Sequence, residues 1–319
     1  MRKILVFGNP PYQQMDGGFC ASAKPIYNLF IDKLLEFNVD ELVFLIPAKW
    51  FGGGKGLSQF REKLQNCGHI KTLQLIKNSR SIFDFIQLHY GLCILHYQKN
   101  YQGLCKFIID NKSKNINLNK HDVILDDLDA DSILEKTCNK YKSIGEIMSV
   151  RNFFGIESNY FSLNSSLQKD DINALYCLSQ RRTTNYINKN NIKRNLDCID
   201  LYKVVIPANY GLNGRRVTIS KHQIFILQPN QICTETYIVV NCFKQEKDAL
   251  LFQKYLQTDF VRYLFGIRKY TQSNTRFYWR FVPALDATQT EWTDELLAEH
   301  FRLSPQERHH IFNKVKEWS

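Results

Sequence analysis

Four consecutive residues near the start of the chain, Asn9-Pro10-Pro11-Tyr12, have the types and order that could act on a planar amino nitrogen. An exocyclic amine on a nucleobase is a poor nucleophile, because its lone pair is delocalised into the ring. Two hydrogen-bond acceptors set tetrahedrally around that nitrogen would localise the pair and aim it at an electrophilic methyl group. The Asn9 side-chain oxygen would be one acceptor and the Pro10 backbone carbonyl the other. Successive prolines fix φ and restrict the residue before them, so these carbonyls point in set directions. Tyr12 adds a flat ring on which a base could stack after leaving a duplex. Carboxylates and histidines are not required for such a step. The bland alternative is a Pro-Pro turn that follows a strand.

The elements that must position this loop read as alternating strands and helices. Ile4 to Phe7 is a continuous apolar run, the pattern of a strand buried on both faces. Ala23 to Leu35 reads as a helix, with Ile26, Phe30 and Leu34 on one stripe and Tyr27, Ile31 and Leu35 widening it. Leu42 to Ile46 is a second strand, stopped by Pro47. Leu57, Phe60 and Leu64 mark a further helix closed by Gly68. Ile70 to Ile76 and Leu92 to Tyr97 complete the set of strands. Strands alternating with helices predict an open α/β sheet, whose ligands sit beyond the carboxyl ends of the strands. Asn9 and Trp50 both lie just past such an end.

From about Lys106 the texture changes. Residues 111–119 are rich in Asn and Lys and read as a linker or exposed loop. Basic residues gather between Arg181 and Lys221, among them Arg182, Lys193, Arg194, Arg215 and Arg216. Tyr186, Asn191, Tyr210 and Asn213 are interleaved with them. That mixture suits phosphate contacts with base-edge readout, against the plain alternative of a solvated basic surface. The chain closes on Ser304-Pro305-Gln306-Glu307, a capping box with Pro at the first helical position, followed by a stripe of Ile311, Val315 and Trp318.

The 319 residues are enough for two domains with their own cores. A hydrophobic fraction of 44% and a charged fraction of 23% are those of a globular protein. The net charge of +11 favours a polyanionic partner, most simply nucleic acid. Nine scattered cysteines form no C-x-x-C pair and no cluster with zinc spacing, so they read as reduced core thiols of a cytoplasmic protein, with no metal site. No apolar run reaches membrane-spanning length, so no membrane partner is expected. Gly52-Gly53-Gly54-Lys55-Gly56 is not a phosphate-binding P-loop, because Gly56 stands where Ser or Thr is needed. A flexible loop whose Lys55 touches a DNA phosphate fits better. Asp127-Leu128-Asp129-Ala130-Asp131 opens like a calcium loop but lacks its Gly and its closing Glu.

The string from Asn9 to Ile31 resembles adenine-N6 DNA methyltransferases of the Eco57I-like class from bacterial restriction–modification systems. So do Ile46-Pro47-Ala48-Lys49-Trp50-Phe51, Phe60-Arg61-Glu62, Cys233-Thr234-Glu235-Thr236-Tyr237, Thr271-Gln272 with Arg276, Phe281-Val282-Pro283 and Trp292-Thr293-Asp294-Glu295-Leu296. The Asn-Pro-Pro-Tyr tetrapeptide alone is shared with protein-glutamine and RNA methyltransferases; the longer string points to DNA adenine enzymes.

The resemblance implies a partial Rossmann-like methyltransferase sheet followed by a mixed α+β target-recognition region. The first would be residues 1–108, the C-terminal half of the catalytic domain, and the second 109–319. It implies S-adenosylmethionine as donor, double-stranded DNA as partner, and flipping of the target adenine. Asn9, Pro10, Pro11 and Tyr12 carry over as the catalytic loop, and Trp50 as a pocket wall. Lys55, Arg181, Arg182, Arg215 and Arg216 are the candidate DNA contacts.

Two departures stand out. Tyr90-Gly91 replaces a pair of small residues, so Tyr90 could crowd the pocket. The Gly-containing donor loop and the acidic ribose ligand have no counterpart in the sequence. Ile4–Phe7 is then expected to be an exposed apolar edge. An N-terminal complementing polypeptide is expected as a partner; the alternative is a non-catalytic DNA-binding remnant of a restriction–modification enzyme.

Overall fold

The computed structural model describes residues 3–15, 23–54, 56–84, 88, 90–138, 140–211 and 217–319. Two compact units divide the chain, the first built on residues up to Ala130 and the second on 131–211 and 217–319. No helix among the described residues is long and apolar enough to cross a membrane.

In the first unit the strands are β1 (Leu5–Gly8), the short pair β2 (Gln13–Met15) and β3 (Ala23–Pro25), β4 (Glu41–Pro47), β5 (Ile70–Ile76), β6 (Leu92–Gln98), β7 (Cys105–Ile109) and β8 (Lys112–Ile116). Its helices are α1 (Tyr27–Glu36) and α2 (Ser58–Asn66). Six of the strands form one sheet in the order β1-β4-β6-β5-β7-β8. β1 and β4 are parallel, as are β5 and β7, while β6 runs antiparallel to both β4 and β5. This is a Rossmann-like mixed sheet, as the alternation of strands and helices predicts.

Side-chain alternation in the sheet follows the register. Phe44 faces Leu95, Leu95 faces Leu73, and Leu73 faces Phe107, and all four are buried. They share a core with Tyr27 and Ile31 of α1 and Phe60 and Leu64 of α2. The rings of Tyr27 and Phe60, of Trp50 and Phe60, and of Phe51 and Phe107 meet edge to face.

Three local expectations are corrected. Residues 23–25 are a strand, not the first turn of a helix, since Pro25 disfavours helical geometry at Lys24. Helix α1 therefore starts at Tyr27. Residues 111–119 are not a free linker: β8 pairs antiparallel with β7 as an exposed edge strand. And β1 is not buried on both faces. It has only β4 beside it among the described strands, and Ile4, Leu5 and Phe7 stand 50%, 49% and 70% exposed.

The second unit carries two three-stranded sheets and most of the helices. Its helices are α3 (Ala130–Thr137), α4 (Ile144–Ile147), α5 (Tyr160–Leu163), α6 (Glu246–Leu256), α7 (Asp259–Gly266), α8 (Asp294–His300) and α9 (Pro305–Trp318). β9 (Ala174–Leu178), β10 (Thr184–Asn188) and β13 (Gln231–Cys233) make one sheet. β11 (Tyr202–Pro207), β12 (Phe225–Leu227) and β14 (Tyr237–Phe243) make the other. A shared apolar core including Phe154, Leu175, Ile187, Ile199, Val205 and Val239 packs them together. The capping box holds as read: Ser304 N–H donates to Glu307 Oε2 at 2.7 Å, and Glu307 N–H to Ser304 Oγ at 3.2 Å. Ile311, Val315 and Trp318 of α9 are buried, with Trp318 stacked on Tyr263 of α7.

Candidate active site

A cavity of about 640 Å³ opens at the carboxyl ends of β1 and β4. That size falls within the range of small-molecule sites, roughly 300–1,000 Å³. Asn9, Pro10, Pro11 and Tyr12 all line it, as do Tyr27, Pro47, Lys49, Tyr90 and Gly91. Among the described lining residues none is acidic and none is histidine. The surface is flat rings and prolines with a few polar tips and one ammonium, that of Lys49, which suits a planar ligand.

The Asn9–Tyr12 loop is positioned from both sides. β1 ends at Gly8, in register with Phe44 of β4, which sets where Asn9 leaves the sheet. On the far side, Ile26 N–H donates to the Tyr12 carbonyl at 3.2 Å, tying the loop to the start of α1. Pro10 is buried, Asn9 and Pro11 are exposed, and Tyr12 is half-buried. Burial pushes the Tyr12 phenol above its ordinary pKa, and the neighbouring Asn9 side chain partly offsets this. That contact is looser than a hydrogen bond: by distance and angle the Tyr12 hydroxyl has no partner among the described residues.

The opposite wall depends on a turn at Ala48–Phe51 that follows β4. Ala48 N–H donates to the Gly91 carbonyl at 3.1 Å. Gly91 has φ of +74°, and a Cβ there would lie 2.1 Å from the Ile76 carbonyl oxygen, so only glycine fits. The buried guanidinium of Arg61 holds the same turn, donating to the Trp50 carbonyl at 3.1 Å and to the Asp122 carbonyl at 2.9 Å.

Trp50, expected as a pocket wall, is fully buried among Phe51 and Phe60 and does not line the cavity. Tyr90 does line it, half-buried. Lys55 lies outside the described residues, as do Arg215 and Arg216. Arg181 and Arg182 sit in the second unit, at the tip of the β9–β10 hairpin. The turn is closed by Thr183 N–H to Gln180 O at 3.0 Å and Ser179 N–H to Thr183 O at 2.9 Å. Both arginines are left-handed, with φ of 56° and 59°. Arg182 is held against its own unit, donating to the His222 carbonyl at 2.6 Å with its guanidinium 5.1 Å from the Phe225 ring. Arg181 is exposed.

Sequence reasoning missed Tyr27, Lys49, Gly91 and the clamp made by Arg61. Tyr27 was legible as one member of an apolar stripe. The overlooked signal is that a tyrosine on a buried stripe must still find a partner for its hydroxyl.

Residues 5–83 match the family described as Eco57I restriction-modification methylase. That match makes this segment similar to restriction–modification methylases. A protein of Mycoplasma pneumoniae (strain ATCC 29342 / M129 / Subtype 1), described as an uncharacterized adenine-specific methylase, is 30% identical over 132 residues, 39% of this chain and 31% of the relative. The chain thus matches about a third of that relative's length. The type IIL restriction–modification enzyme MmeI in complex with DNA is similar at 12% identity, across 99% of this chain and 55% of the other, with a TM-score of 0.43. The type IIG restriction endonuclease BpuSI is similar at 11% identity, across 95% and 46%, with a TM-score of 0.35.

A Rossmann-like sheet is compatible with S-adenosylmethionine binding, but the residues of this cavity do not fit the whole donor. The described lining offers no carboxylate for ribose hydroxyls, and no Gly-rich turn follows β1, whose sequence runs into Asn9-Pro10-Pro11.

Proposed function

We propose that this chain carries the acceptor side of a DNA adenine-N6 methyltransferase. The observation that carries this reading is the convergence of Asn9, Pro10 and Tyr12 on one cavity without described acidic residues at the carboxyl ends of two parallel strands. The Asn9 side-chain oxygen and the Pro10 carbonyl accept hydrogen bonds from the amino group of a flipped adenine, and the Tyr12 ring stacks on it. These groups localise and aim the nitrogen lone pair; holding the methyl donor falls to polypeptide outside these 319 residues. The open edge of β1 and its exposed Leu5 and Phe7 support that division, because an unpaired apolar edge is a seat for another strand. Residues 109–319 act as the DNA target-recognition region, with Arg181 at the β9–β10 tip as a contact. The likeness of residues 5–83 to restriction–modification methylases supports the reaction class.

The test is transfer of labelled methyl from S-adenosylmethionine to DNA, using the full chain alone and together with the polypeptide encoded immediately upstream of Met1. Transfer only in the combined sample is expected. No transfer in either sample, with DNA binding retained, would leave the non-catalytic recognition module in its place. Transfer by the chain alone would refute the dependence on further polypeptide.

A further inference from the structure

Five buried side-chain polar atoms have no hydrogen-bonding partner among the described residues. Four of them belong to Tyr12, Tyr27, Asn28 and Trp50. These residues sit on the catalytic loop, the first turn of α1 and the turn after β4, the three segments around the cavity. Burying a polar group without a partner costs stability, so such atoms are rare and call for a cause. Of these four residues, Tyr12 and Tyr27 line the cavity, where a bound ligand would complete their hydroxyls.

Tyr27 is the sharpest case. It is 2% exposed, it lines the cavity, and its hydroxyl is unpartnered. Its ring is fixed by edge-to-face contact with Phe60, 6.0 Å between centroids. Desolvation first, and the buried Cys93 thiol second, hold the phenol above its ordinary pKa, so it stays protonated and able to donate.

The chemistry of the base selects the partner. Once its amino group donates to Asn9 and Pro10, adenine has only acceptors left, its ring nitrogens. A buried neutral donor matches them. Lys49, which also lines the cavity, is exposed and keeps its hydration.

We propose that the Tyr27 hydroxyl is a base-binding group that donates a hydrogen bond to a ring nitrogen of the flipped amino-purine. The proposal rests on the reading of the Asn9–Tyr12 loop given above.

The experiment compares the full chain with Tyr27→Phe, using adenosine and its 1-deaza, 3-deaza and 7-deaza analogues as probes in equilibrium titrations. The thermal unfolding of the two free proteins is measured alongside. Loss of one neutral hydrogen bond predicts roughly fivefold weaker adenosine binding by Tyr27→Phe. It also predicts no further loss for the one deaza analogue that lacks the paired nitrogen. Because the hydroxyl has no partner among the described residues, Tyr27→Phe should unfold at the same or a higher temperature. Equal adenosine affinity in both proteins overturns the proposal while leaving the base-binding reading intact. A lower unfolding temperature for Tyr27→Phe also overturns it, since the hydroxyl would then have a structural partner. Failure of the unmodified chain to bind adenosine at all removes both.

Discussion

The backbone N–H of Ile26 donates to the carbonyl of Tyr12 at 3.2 Å. Through that bond the last residue of the Asn9–Tyr12 loop is anchored to the residue just before α1. The next residue, Tyr27, is thereby brought to the same cavity as Asn9. Two segments separated by a short strand pair become one wall.

Asn9→Ala should abolish methyl transfer and spare the fold. Asn9 is exposed, so no core contact is lost. Removing a preorganised hydrogen-bonding group from the reacting centre typically lowers turnover by about 10²–10³-fold. Single-turnover kinetics should show that drop, with DNA affinity unchanged in gel-shift titrations.

Gly91→Ala should destabilise the first unit. The added Cβ meets the Ile76 carbonyl oxygen at 2.1 Å, and the backbone lies at φ +74°. Strain of this kind together with a backbone clash costs about 2–4 kcal/mol. Urea unfolding should show the lower midpoint.

Arg181→Gly separates stability from DNA contact. A non-glycine residue at φ 56° costs about 1 kcal/mol, which glycine recovers. The same change removes an exposed cation from the hairpin tip. If Arg181 meets a phosphate, the slope of log affinity against log salt should become shallower by about 0.9. Thermal unfolding and salt-series binding read the two effects independently.

Lys269 gives the second unit a pH dependence near neutrality. Its ammonium is buried, bonded to the Ser273 carbonyl at 2.8 Å and to Asn274 Oδ1, and burial lowers its pKa to about 7. An unfolded chain holds that proton up to its ordinary pKa of 10.5. Between these values the unfolded state binds more protons, so the contribution of this group to stability rises with pH and is least below 7. The difference in unfolding temperature between the unmodified chain and Lys269→Met should therefore grow from pH 7 to pH 8.5. Lys203, lowered to about 8 by burial, adds the same sign over a narrower window and is common to both proteins.

The sequence makes the first unit legible because its signals are local. Leu42–Ile46, Ile70–Ile76 and Leu92–Tyr97 are apolar runs of strand length, and each is a strand. Ser304 to Glu307 is a cap written in four residues. The misses are non-local. Residues 111–119 look like a linker because β8 is an exposed edge whose ladder pairing comes from β7. Trp50 follows a strand end as a pocket residue should, but the Arg61 clamp and the Phe60 ring hold it in the core. The identity of Tyr27 as a cavity residue depends on the hydrogen bond between Ile26 and Tyr12, which no spacing rule encodes.

The central claim is that the Asn9–Tyr12 loop delivers the amino group of an adenine. It is tested most directly by nucleoside mass spectrometry of DNA from a methylation-deficient host. The host would express the full chain, or its Asn9→Ala variant, together with the polypeptide encoded upstream. The account predicts N6-methyladenine with the unmodified chain and none with the variant. Equal N6-methyladenine in both samples, or methylation confined to cytosine, would contradict it.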